Sequence, residues 1–94
     1  MDKSSFVFTC VVLKEDSGFS ALCLDTDVAS EGDTIDEAKQ KLGEAVNLYI
    51  ESAIENNLPI IRPVPQAENP QHTRPEDVAE MFRLTVNVQV AVHV

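Results

Sequence analysis

Tryptophan is absent from this 94-residue sequence, and aromatic side chains are limited to four phenylalanines and one tyrosine. Any core must therefore be filled by aliphatic residues. Basic residues are also scarce, seven Lys and Arg against sixteen Asp and Glu, for a net charge of −9. That balance argues against direct nucleic-acid binding, which relies on Lys and Arg to neutralise phosphates, and against an anionic membrane surface. No run approaches the ~20 apolar residues of a membrane span. The opening Met1-Asp2-Lys3-Ser4-Ser5 has no basic patch ahead of a long apolar stretch, so no secretion signal is expected and the location is read as cytoplasmic. The two cysteines, Cys10 and Cys23, lack the CxxC spacing and the histidine cluster of a metal site.

What is present is an apolar fraction of 44%, enough for one modest core in a single domain. Residues 6–13 are rich in β-branched and aromatic side chains and end in a turn signal, Glu15-Asp16-Ser17-Gly18. A second apolar run, residues 19–24, follows at once, which predicts a β-hairpin. Residues 28–31 predict a short third strand, reached through a bend where Asp25 and Asp27 are expected to bond their own local backbone. Thr34 and Glu37 fit a capping box at the start of a helix. Ile35, Ala38, Leu42, Ala45, Val46, Tyr49, Ile50 and Ala53 then recur at spacings of three and four. They fall within roughly 140° of arc, a core-facing stripe. Gly43, at the edge of that stripe, is expected to admit a strand at close range, and Asn56-Asn57 marks the stop.

Beyond the helix the character changes. Five prolines (59, 63, 65, 70 and 75) mark residues 57–81 as an extended connection over the surface. Pro75, Glu76 and Asp77 suit a single helical turn within it. The last segment, residues 82–93, alternates strictly: Phe82, Leu84, Val86, Val88, Val90 and Val92 on one face, Arg83, Thr85, Asn87, Gln89, Ala91 and His93 on the other. The chain thus reads as one α+β domain over residues 1–94, with the hairpin, third strand and helix in residues 6–56. A two-layer β-β-β-α-β arrangement in sheet order 3-2-1-4 is expected, with the helix on one face and the final strand parallel to the first.

Candidate chemistry is sparse. Bend-forming and capping roles explain Asp25, Asp27, Asp33, Asp36 and Glu37 without a metal ion. His72 and His93 have no nucleophile or orienting partner near them in sequence, so neither catalysis nor a cofactor is expected. If Lys14 pairs with Phe19, paired residue numbers sum to thirty-three, and Cys10 lies opposite Cys23 beside Phe8, Val12 and Ala21. Such a pair can form a disulfide, although in a reducing compartment two small buried thiols are the reading taken. The final strand carries no charge after Arg83 and has no lysine to protect a free edge. It predicts a homodimer or higher oligomer through Leu84, Thr85, Val86, Asn87, Val88, Gln89, Val90 and Val92.

The segments Phe8-Thr9-Cys10-Val11-Val12-Leu13, Ser17-Gly18-Phe19-Ser20-Ala21, Cys23-Leu24-Asp25 and Ser30-Glu31-Gly32-Asp33-Thr34-Ile35-Asp36-Glu37-Ala38 together resemble the HicB-like antitoxin domain. Asn47-Leu48-Tyr49-Ile50 and Leu58-Pro59-Ile60 resemble its helix end and exit, so the likeness covers residues 6–65. The resemblance implies a degenerate ribonuclease-H-like fold without catalytic carboxylates. It also implies a partner, a small basic ribonuclease toxin of the HicA type. Two features depart from the family pattern. The usual Pro-Asp-Leu-Pro-Gly bend is replaced by Leu24-Asp25-Thr26-Asp27-Val28, and no DNA-binding module is expected after the last strand. The expected function is protein binding. Its alternatives are a self-assembling regulatory domain without a toxin partner and, more distantly, a small-molecule or metal-binding module.

Overall fold

The architecture is taken from a computed structural model that describes residues 2–90, with side chains described from residue 5 to residue 87. Strand β1 (Asp2–Glu15) turns into β2 (Gly18–Cys23), and β3 (Val28–Gly32) completes a meander. Helix α1 (Ile35–Glu55) follows, then a proline-rich strap containing the short helix α2 (Pro70–Thr73), then β4 (Val78–Val90). The sheet order is 3-2-1-4, as expected, and Lys14 pairs with Phe19, which places Cys10 opposite Cys23.

Helix α1 starts where the sequence says it should. The Thr34 hydroxyl accepts from the Glu37 amide at 3.0 Å, and the Glu37 carboxylate reaches back to the Asp33 amide at 3.1 Å. Gly32 explains why the preceding residue is small: a β-carbon there would lie 2.6 Å from the Ala38 backbone nitrogen. The first turn of the helix therefore rests directly on β3, and Ser30 adds a hydroxyl bond to the Ala38 carbonyl at 2.7 Å. Ala38, Leu42, Val46, Ile50 and Ala53 form the buried stripe. It meets Phe8, Cys10, Val12, Ala21, Cys23 and Val86 from the sheet, with Leu84 and Phe82 packed at the margin.

One expectation is overturned. Strand β4 runs antiparallel to β1, not parallel. The helix alone would have returned the chain to the start of β1, but the strap travels the length of the sheet a second time. At one end the Arg62 and Val64 amides donate to the carbonyls of Asp25 and Leu24, both at 2.9 Å. At the other, Arg74 grips the hairpin, donating to Glu15 Oε1 at 3.1 Å and to the Lys14 carbonyl at 3.2 Å. The strap is thus more than a surface connection. Val11 and Leu13 point away from the helix by alternation, yet both are buried. The strap supplies cover on that side: Pro70 is buried, and Gln71 Nε2 contacts Met81 Sδ at 3.5 Å.

Two boundaries also move. Strand β4 begins at Val78 instead of 82, because the register slips between Val12 and Leu13 and a bulge at Ala79 breaks the alternation. Strand β1 begins at Asp2, its polar first residues being held by pairing with β4. Because β2 pairs only with residues 10–15 of β1, the β1/β4 pair continues alone as a two-stranded ribbon.

Candidate protein-docking surfaces

The predicted interface strand lies at the sheet margin, with its outer edge unpaired among the described residues. The Leu24 amide bonds the Thr9 carbonyl, so odd-numbered residues of β1 bond towards β2 and even-numbered ones towards β4. In β4 the backbone groups of Arg83, Thr85 and Asn87 consequently point outward. Thr85 and Asn87 are exposed, and Asn87 Oδ1 accepts from the Ser5 hydroxyl at 2.7 Å. Val86 is buried and Leu84 half-buried in the chain's own core, so their side chains are committed there. The side chains of Val88, Gln89 and Val90, and all of Val92 and His93, lie outside the described residues. Leu84–Asn87 and the α1 residues Gln40, Gly43, Glu44 and Asn47 flank an open groove along this edge.

A second surface sits at the hairpin end. Glu15, Glu31, Asp33 and Glu37 gather around Ser17 and Phe19, with Lys41 as the cation among them. The Asp33 amide and then Lys41 hold the Glu37 carboxyl below its ordinary range. Arg74, followed by the Ser20 hydroxyl, does the same for Glu15. The Glu15 and Glu37 carboxylates are thereby held in fixed positions. The sequence dispersed them over twenty-three residues (15 to 37), and only the β2–β3 pairing and the helix start bring them together.

The third surface was not legible in the sequence. Tyr49, Ala53, Leu58, Pro59, Ile61 and Arg62 line an apolar groove of about 350 Å³ at the far end of α1. Leu58 and Ile61 are more than half exposed, Arg62 lies 5.6 Å from the Tyr49 ring centre, and the Tyr49 hydroxyl donates to the Pro59 carbonyl at 3.2 Å. Proline spacing marked these residues as a connection, and no periodicity distinguished an apolar patch within it.

The remaining candidates separate. Asp25 does not bond its own bend; its carboxylate accepts from the Thr9 amide at 2.8 Å, fastening the bend to β1. Asp27 is exposed with a left-handed φ of 58°. His72 is exposed at the end of α2. Among the described residues, no group of three or more His, Cys, Asp or Glu gathers as a metal site would require, and no helix is long and apolar enough to cross a membrane.

No protein-family model matches the chain. Over 60 aligned residues it is 40% identical to a UPF0150 protein of Synechocystis sp., covering 62% of this chain and 76% of that protein. Among solved structures, the N-terminal domain of the Burkholderia pseudomallei antitoxin HicB shares the fold with a TM-score of 0.59 and 25% identity. That match covers 90% of this chain and 100% of the domain.

Proposed function

We propose, from the premise that this chain belongs to the HicB-like antitoxin domain family, that it acts in the cytoplasm as a protein-binding domain and not as an enzyme. Its partner is a small basic ribonuclease toxin, held by electrostatic complementarity and thereby neutralised. The observation that carries this reading is the acidic rim of Glu15, Glu31, Asp33 and Glu37 at the hairpin end of a chain with net charge −9. Opposed charge speeds encounter and rejects wrong partners. It equally disfavours direct contact with operator phosphates. The test is co-purification with the product of a neighbouring short basic reading frame, and growth rescue when the two are co-expressed. Glu31→Lys with Asp33→Lys should weaken capture at least tenfold and lower the association rate. Undiminished capture by that variant would reject the acidic rim as the docking surface.

The unpaired edge of β4 favours a companion reading, in which the same domain self-assembles. Exposed strand edges recruit further strands, and two copies joined edge to edge along Arg83–Asn87 would form one continuous eight-stranded sheet. Light scattering should give a mass of twice 10.3 kDa or more. A 10.3 kDa monomer at high concentration overturns this reading.

A further inference from the structure

Cys10 and Cys23 face one another across β1 and β2, and both are fully buried. The bond from the Leu24 amide to the Thr9 carbonyl, at 2.9 Å, brackets them as a non-hydrogen-bonded pair. In that kind of antiparallel site the α-carbons are about 4.5 Å apart and the side chains lean together, within the span a disulfide bridges. Both thiols are free. Cys23 is also the last residue of β2, directly before the turn at residues 24–27. The amides of Asp25 and Thr26, in that bend, favour negative charge on Cys23. Thr26 is itself fully buried, and its hydroxyl has no hydrogen-bond partner of its own. A polar group sequestered in this way is costly unless something recompenses it, and negative charge on Cys23 would do so.

We propose that Cys10 and Cys23 form a reversible redox pair, closed into a cross-strand disulfide by peroxide-class oxidants and reopened by dithiols. The neighbouring Cys10 thiol and the two bend amides lower the Cys23 thiol to about 6, while Cys23 and burial hold Cys10 up. Cys23 is therefore the attacking sulfur. Its thiolate takes one oxygen from hydrogen peroxide, giving a sulfenic acid and releasing hydroxide. The Cys10 sulfur then attacks the sulfenic sulfur, the S–S bond forms, and the Cys10 proton leaves with the displaced hydroxyl as water. A dithiol reductant returns two hydrogens and is itself oxidised to its disulfide. Access comes through the bend, which is held to the rest of the fold by the bond of Asp25 to Thr9 and by the strap amides of Arg62 and Val64. Local opening of such segments occurs well below the global unfolding free energy.

The experiment is treatment of the folded chain with hydrogen peroxide, followed by denaturation, alkylation and peptide mass mapping. The expected result is an intramolecular link between the two cysteine peptides, with two hydrogens lost, neither thiol alkylated, and full reversal by dithiothreitol. The melting temperature should rise by several degrees, since the link shortens the denatured chain's freedom. In Cys10→Ala the resolving sulfur is gone, and dimedone should trap a sulfenic acid at Cys23. In Cys23→Ala, Cys10 should remain a thiol under the same exposure. Quantitative alkylation of both thiols after peroxide, a link between chains, or unlinked sulfinic acid at Cys23 in the wild-type chain would each overturn the pairing. Dimedone capture at Cys10 in place of Cys23 would overturn the assignment of the attacking sulfur.

Discussion

At the scale of single residues, two glycines show how local contact decides what a position tolerates. Gly32 sits under the helix, and the β-carbon of Gly32→Ala would be driven into the backbone of Glu37 and Ala38. Neither side can move without lifting α1 off β3, so a loss of about 1–3 kcal/mol is expected. Gly43 looks similar in the sequence but behaves in the opposite way. An added β-carbon there meets only the Leu84 Cδ1 at 3.6 Å, an ordinary contact, so the expected close strand approach is not what this glycine serves. Gly43→Ala should gain about 0.5–1 kcal/mol from helix propensity. Urea denaturation of the two variants should move the midpoint in opposite directions. Equal destabilisation would contradict the contact geometry.

At the scale of elements, α1 and the strap are held by different physics. The helix start depends on the Thr34 cap, and Thr34→Ala should cost about 1 kcal/mol in chemical denaturation. The strap depends on Arg74 and its carboxylate partners, Asp77 at 3.0 Å and Glu15 at 3.1 Å. Glu15 is held below its ordinary value by Arg74, so its contribution to stability is fully present above the ordinary carboxylate range and disappears as pH falls through the depressed value. Thermal melts of the wild type and Glu15→Gln should therefore differ at neutral pH and converge in acid. A gap that stays constant down to strong acid would show that the ion pair is not what separates them. Amide exchange in residues 70–77 should quicken in the variant before that of the core strands does.

At the scale of the whole molecule, the ribbon formed by the far ends of β1 and β4 stands outside the four-stranded sheet. Two-stranded ribbons alone are marginal in water, so pairing of β4 with another copy would stabilise both the edge and the ribbon. Thr85→Lys with Asn87→Lys places like charges opposite one another in any antiparallel edge pairing centred there, at exposed positions that leave the core intact. Light scattering should show a shift towards monomer with unchanged far-ultraviolet circular dichroism. An unchanged mass would place self-association elsewhere.

What the sequence determined by itself was whatever depends on neighbours along the chain. The hairpin pairing of Lys14 with Phe19, the capped start of α1 and its stripe from Ala38 to Ala53 all follow from local periodicity and turn chemistry. The order of elements carried the sheet order and the resemblance through Gly32-Asp33-Thr34 carried the family, and the contact of Gly32 with Ala38 gives that motif its physical reason. Only the tertiary structure decided what depends on distant segments. The direction of β4 turned on how far the proline-rich strap travels, which its composition does not encode. The buried state of Val11 and Leu13 required that strap on the second face of the sheet. The polar start of β1 became a strand because β4 pairs with it, and the bulge at Ala79 hid the start of β4 from an alternation test. The acidic rim and the apolar groove are likewise products of convergence. Their residues are scattered until strand pairing and the course of the strap gather them.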